Sequence, residues 1–182
     1  MSEALVLIDL QNDYFPGGTM ELVDADRAVE QAALLVEAYR AKGLPVLHIQ
    51  HIAKRPGATF FLPGTAGAEI HDAVRPKTGE RVVVKHFPNG FRETRLLDEL
   101  RSAGATKIAF AGMMTHMCVD TTVRAAADLG FACALAQDGC ATRALQFAGQ
   151  PVEADKVQLA YLAGLNGSFA NVRSAQELCA AL

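Results

Sequence analysis

No apolar run in the 182-residue chain approaches the roughly 18–20 residues needed to cross a bilayer, so a helical membrane span is excluded. The N-terminal Met-Ser-Glu-Ala enters a strand-like run without a basic segment and a long apolar one, so no secretion signal is expected. Basic blocks are absent as well. With Lys and Arg scattered and a net charge of -3, neither nucleic acid nor an anionic membrane is an expected partner. The four cysteines, Cys118, Cys133, Cys140 and Cys179, form no CxxC pair. Without a secretion signal they are expected to be free thiols in a reducing cytoplasm. There is neither a GxxxxGK[ST] loop nor a GxGxxG, so nucleotide binding has no motif behind it and no cofactor is expected. Repeats, low-complexity tracts and linkers are missing too, which leaves a single domain over 1–182.

What is present is apolar material, 51% of the residues, arranged in alternating strand and helix patterns. Ala4 to Leu10, Leu44 to Ile49, Arg81 to Lys85, Ile108 to Ala111, Phe131 to Ala136 and Ser168 to Val172 read as six strands. Ala25 to Lys42 has Val29, Ala32-Ala33, Val36 and Tyr39 at helical spacing, with Asp24 or Asp26 as the cap and Gly43 as the stop. Further helices are expected around Leu96 to Ala103, from Cys118 to Gly130, over Ala141 to Phe147, over Pro151 to Leu162, and after Ser174. Asp138-Gly139 reads as a turn. This alternation predicts an α/β fold: a doubly wound, mostly parallel six-stranded sheet with helices on both faces.

In such a sheet, ligands bind beyond the carboxyl ends of the strands. Asp9, Lys85 and Cys118 all fall at that edge. Cys118 lies where a strand has ended and a helix begins, and a helix N-terminus favours thiolate over thiol. Lys85 as an ammonium would favour the anionic forms of Asp9 and Cys118, and Asp9 could carry a proton from thiol to leaving amine. His48 and His51 are three apart, so a strand sends them to opposite faces, and no acid lies between them. A metal pair is therefore not expected, though His51 alone could reach the site. The long stretch Arg55 to Glu80 has the composition of a functional loop, and its Phe60-Phe61-Leu62 needs cover from the site or from another subunit.

Three segments carry a resemblance. LIDLQNDY at 7–14, VVVKHFPNGF at 82–91 and GMMTHMCVDTT at 112–122 occur in this order on matching elements. Together they resemble the isochorismatase-like cysteine hydrolases, a group that includes nicotinamidases and N-carbamoylsarcosine amidohydrolase-like enzymes. The resemblance implies a three-layer α/β/α fold with Asp9 as catalytic acid and base, Lys85 as electrostatic partner and Cys118 as nucleophile. It also implies a non-proline cis peptide bond between Met113 and Met114, with the N–H groups of Met114 and Cys118 forming an oxyanion hole. Gln11, Phe15, His86, Phe91 and Thr115, in or beside these segments, and His51, just after the second strand, are the candidate substrate-binding residues. Relatives commonly assemble, so a homo-oligomer, dimer or tetramer, is expected. The segment HIQHIAK lacks the acid of the nicotinamidase Asp-x-His metal motif, which argues against a bound metal.

The expected reaction is hydrolysis of an amide or related C–N bond in a small molecule through a thioester on Cys118. Two alternatives stay open: an isochorismatase-type vinyl ether hydrolase using Asp9 and Lys85 without the thiol, and a non-catalytic flavodoxin-like binding module.

Overall fold

The computed structural model describes residues 2–182. Its framework is a six-stranded parallel sheet made of β1 (Ser2–Ile8), β2 (Val46–His51), β3 (Arg81–Lys85), β4 (Ala105–Met113), β5 (Ala132–Ala141) and β8 (Asn171–Arg173). The spatial order is β3-β2-β1-β4-β5-β8. The chain starts in the middle, winds outward through β2 and β3, then returns to the far side of β1 to lay down β4. The strand order therefore reverses between β1 and β4, and a crevice opens beyond their carboxyl ends. Register fixes the crevice: Ile8 lies beside both Ile49 and Gly112, His51 beside Lys85, and Met113 beside Ala141.

The continuous apolar run of β1 follows from two covered faces. Leu5 and Leu7 join one core, with the inner face of α1 (Ala25–Ala41) and with α5 (Ala175–Ala180). Ala4, Val6 and Ile8 join the other, with α2 (Leu96–Ser102) and α3 (Asp120–Asp128). At Gly112, φ is +146°, and a Cβ there would collide with the Ile8 carbonyl. Only glycine lets β4 approach β1 this closely at the point where the strand order reverses.

Several boundaries differ from the sequence expectations. β5 runs straight through Asp138-Gly139 to Ala141, because Cys140 and Ala141 pair with Gly112 and Met113 across a register shift. The helix expected over Ala141 to Phe147 is instead the end of β5 followed by a hairpin of β6 (Leu145–Phe147) and β7 (Gln150–Val152). Ala148 and Gly149 both have positive φ, the conformation of a two-residue hairpin turn. Pro151 therefore lies in a strand, and α4 (Ala154–Leu165) begins after it, with Glu153 at the cap position. Asp24 stands at the N-cap of α1 in a left-handed conformation, but its side chain makes no capping hydrogen bond. Ser174 does cap α5, in a reciprocal capping box with Glu177.

The segment 55–80 is stitched to the loop after β1. Asn12 N–H donates to the Glu69 carbonyl, His71 N–H to that of Leu10, and Phe61 N–H to Asp13 Oδ2 at 2.6 Å. Phe61 is buried against Tyr14, with ring centroids 4.6 Å apart. Phe61 thus finds its cover within its own chain, while Leu62 stays 38% exposed. The most exposed large apolar side chains lie elsewhere, at Phe147 (82% exposed) and Leu159 (65%). Among the described residues, no helix is long and apolar enough to cross a membrane.

Candidate active site

Each polar side chain at the crevice is delivered by the end of a strand. Asp9 follows β1 at once and has φ of +51°, a left-handed turn that aspartate tolerates. Lys85 is the last residue of β3 and His51 the last of β2. Beyond β4, the Met113–Met114 peptide bond is cis. The chain then makes one π turn, Thr115–Val119, before α3 begins. The Met114 carbonyl accepts from both Met117 N–H and Val119 N–H, which widens this turn around Cys118. Single π turns are frequent at functional sites.

The three predicted groups meet. Lys85 Nζ lies 2.7 Å from Asp9 Oδ2 and 3.3 Å from Cys118 Sγ. Asp9 and Lys85 are both inaccessible to solvent, and Cys118 is 5% exposed. The Asp9–Lys85 contact is ionic rather than directional, since neither Asp9 oxygen meets hydrogen-bond geometry. His51 is the fourth member, its Nδ1 2.8 Å from Lys85 Nζ. A carboxylate oxygen of Asp9, a ring nitrogen of His51 and Cys118 Sγ all lie within 4.8 Å of one another. Such a trio could ligate a metal ion, but the Lys85 ammonium contacts all three and already supplies the positive charge. These residues therefore do not fit a metal, and no step below uses one.

Charge in this cluster is set by burial and by near neighbours. Burial raises the Cys118 thiol pKa, the Asp9 carboxylate raises it further, and Lys85 opposes both without cancelling them. The resting sulfur is thus a protonated thiol, not the thiolate expected from its place at a helix start. Burial and the adjacent carboxylate outweigh the helix terminus. For Lys85, burial acts downward, but Asp9 and then Cys118 outweigh it and the net shift is upward. Burial first, and Lys85 second, lower the His51 pKa to about 4, so the ring is neutral at pH 7.

Comparison with known proteins gives this chain a family. The Isochorismatase domain family matches residues 3–177. An isochorismatase family protein of Bacillus subtilis is 45% identical over 97% of this chain and 98% of its own length. The chain belongs to the isochorismatase family of hydrolases. The crystal structure of a protein from Oleispira antarctica assigned as an isochorismatase hydrolase superposes with a TM-score of 0.95 at 47% identity, covering 98% of this chain and 96% of that one. The streptothricin hydrolase of Streptomyces noursei is 39% identical over 77% of this chain and 54% of its own length.

Within this family fold, the candidate substrate-binding residues take different places. Gln11 is fully buried, and its amide is spent on the backbone: Nε2 donates to the carbonyls of His51 and Ala68, and Oε1 accepts from His51 N–H. Thr115 is also buried and donates its hydroxyl to the Ala141 carbonyl. Both hold the frame of the site instead of facing its space. Phe15 is buried and stacked on His71 at 4.1 Å. His86 is half-buried, its Nδ1 2.7 Å from the Ile52 carbonyl, and Phe91 packs on the second core. His48 points away from the site, to Glu80 at 2.9 Å.

Two residues were not singled out from the sequence. Tyr14 is buried, and its phenol pKa is raised by burial, then by the nearby Cys118 and Asp9. It closes the same LIDLQNDY segment that supplied Asp9, so the signal was available. Arg143, exposed just beyond the end of β5, exerts its charge on Tyr14 and on His116. Nothing in the sequence marked it, because the helix expected at 141–147 placed it on another element.

The His51 shift has a sign that can be tested. An unfolded histidine titrates near 6.5, whereas the folded ring titrates near 4. The folded state therefore binds fewer protons in between. This stability contribution is complete above pH 6.5 and is lost as pH falls toward 4. His48, also lowered by burial, adds in the same direction. Urea unfolding midpoints measured between pH 7 and 5, above the range where ordinary carboxylates dominate, should fall by the equivalent of about 1–2 kcal/mol. In His51→Asn the fall should be smaller.

Proposed function

We propose that the protein hydrolyses an amide or related C–N bond in a small molecule through a thioester on Cys118. The observation that carries this reading is one ammonium in contact with both a buried carboxylate and a buried thiol, at the point where the strand order reverses. As the sulfur attacks the carbonyl carbon, its proton passes to Asp9 and a C–S bond forms. The oxyanion forms beside the N–H groups of Met114 and Cys118, a developing charge that such donors stabilise. Collapse breaks the C–N bond, and Asp9 returns its proton to the departing nitrogen. Water, deprotonated by Asp9, then cleaves the thioester and restores the thiol. Throughout, Lys85 balances the negative charge shared by carboxylate and sulfur. The streptothricin hydrolase relative supports C–N chemistry over vinyl ether cleavage, as does a cysteine at this position.

The test is intact-protein mass spectrometry after rapid acid quench, with a panel of nicotinamide, N-carbamoyl amino acids, ureides and a streptothricin lactam. An acyl adduct on Cys118 that hydroxylamine releases, together with loss of turnover in Cys118→Ala, is the expected result. Full turnover by Cys118→Ala would overturn the reading, and cleavage of isochorismate by that variant would favour the ether hydrolase.

Self-association belongs to the same proposal, with a second copy of this chain as the partner. α4 is rich in apolar residues, yet only Val157 and Leu165 are buried. The hairpin before it exposes Phe147 and Val152, and an isolated two-stranded hairpin is marginal in water. Beside them lies a recess of about 520 Å³ between α1, β5 and α4, lined by Ala28, Leu159 and Leu162 and edged by Asp24, Asp138 and Asp155. Exposed Arg143 sits two residues before the hairpin, opposite in sign to that acidic rim. An exposed apolar hairpin and a recess bordered by α4, the next element in the chain, suit an isologous pair. Light scattering at about 50 µM, a concentration chosen for modest interfaces, should give a dimer for the wild type and a monomer for Phe147→Asp combined with Leu159→Lys. A monomeric wild type would defeat this proposal.

A further inference from the structure

An ammonium group has three N–H donors and no acceptor. At Lys85 two have hydrogen-bond partners, His51 Nδ1 at 2.8 Å and Cys118 Sγ at 3.3 Å, and Asp9 Oδ2 lies 2.7 Å from Nζ as an ion-pair contact. Because Lys85 can only donate, His51 Nδ1 accepts, and the proton of the neutral ring resides on Nε2. His51 is itself clamped. Its backbone N–H donates to Gln11 Oε1 at 2.7 Å, and its carbonyl accepts from Gln11 Nε2 at 2.9 Å. The groups facing the ring are Lys85 on β3, Asp9 after β1, His86 in the following loop and Cys118 in the π turn.

We infer that His51 is a positioning residue for the thiol chemistry: by accepting one N–H of Lys85, it holds the ammonium nitrogen in place between Asp9 and Cys118, within donating range of the sulfur. Gln11 supports it from behind by holding the end of β2. Without the acceptor, one N–H is left unpaired in a buried site, and the ammonium nitrogen is free to shift toward Asp9 and away from the sulfur. The inference rests on the reading of Cys118 as nucleophile. It gives a role to the two polar residues of the site that do neither acid–base nor nucleophilic work.

Two substitutions separate this from a packing role. His51→Asn places an amide oxygen about where Nδ1 was, and His51→Leu fills similar space without an acceptor. On the fastest substrate of the panel, His51→Leu should lower kcat by about 30- to 100-fold and change KM by less than about threefold. His51→Asn should stay within about fivefold of the wild type. Long-range 1H–15N spectra at pH 7 give a readout that needs no substrate. The wild type should show the Nε2–H tautomer of His51 and a slowly exchanging Lys85 ammonium, and His51→Leu should lose the latter. An Nδ1–H tautomer, wild-type kcat in His51→Leu, or a folded His51→Asn as damaged as His51→Leu would each overturn the inference. Failure of the nucleophile reading is visible separately, as turnover by Cys118→Ala.

Discussion

Asp9→Asn will cut turnover by about a thousandfold and at the same time speed alkylation of Cys118. The two effects have one cause. Asp9 is the base that takes the thiol proton, and loss of a positioned acid–base group typically costs 10²- to 10⁴-fold. The same carboxylate also raises the Cys118 pKa, while Lys85 lowers it. Asparagine removes the first influence and leaves the second. Iodoacetamide labelling at pH 8, followed by peptide mapping, should therefore show faster modification of Cys118 in a variant that no longer hydrolyses amides. A variant that lost both, with its fold intact, would mean that Asp9 does not control the sulfur.

Lys85→Met will damage the fold as well as the chemistry. It strands Asp9, which has no solvent exposure and no hydrogen bond to either oxygen. Breaking a buried ion pair by removing one partner costs about 3–5 kcal/mol, because the remaining charge is uncompensated. For a chain of this length, that corresponds to a fall in Tm of about 8–15 °C in calorimetry. Adding Asp9→Asn should recover most of the lost stability and none of the activity. If Lys85→Met kept the wild-type Tm, the pair would not be the buried charge couple described above. If the double variant were no more stable than the single, some other contact of Lys85 would be holding the fold.

Strand ends were legible in the sequence where charge interrupts an apolar run. Asp9 and Lys85 stand out because aspartate and lysine are rare inside a sheet covered on both faces, and the topology that unites them follows from strand–helix alternation. Cys118 was legible by position, but its protonation was not. The helix start suggested a thiolate, and the opposing influence, a carboxylate more than a hundred residues earlier in the chain, becomes evident only when β1 and β4 lie side by side. Gln11 and His51 show the same limit. Their residue types suit a binding site, yet the Gln11 amide is taken by backbone groups of His51 and Ala68, and the His51 ring by Lys85. The segment 141–152 misled because alanine, leucine and phenylalanine at helical spacing fit a helix equally well. Pairing with Gly112 and Met113 decided for a strand, and the positive φ of Ala148 and Gly149 decided for a hairpin.

The burial of Cys118 beside a carboxylate has a further consequence. Peroxide attacks thiolates and largely spares thiols. With its pKa raised by burial and by Asp9, Cys118 should react with peroxide more slowly than an ordinary exposed cysteine between turnovers. Reagents that silence it will be those that, like its substrate, bring an electrophilic carbon within reach and let Asp9 remove the proton on contact.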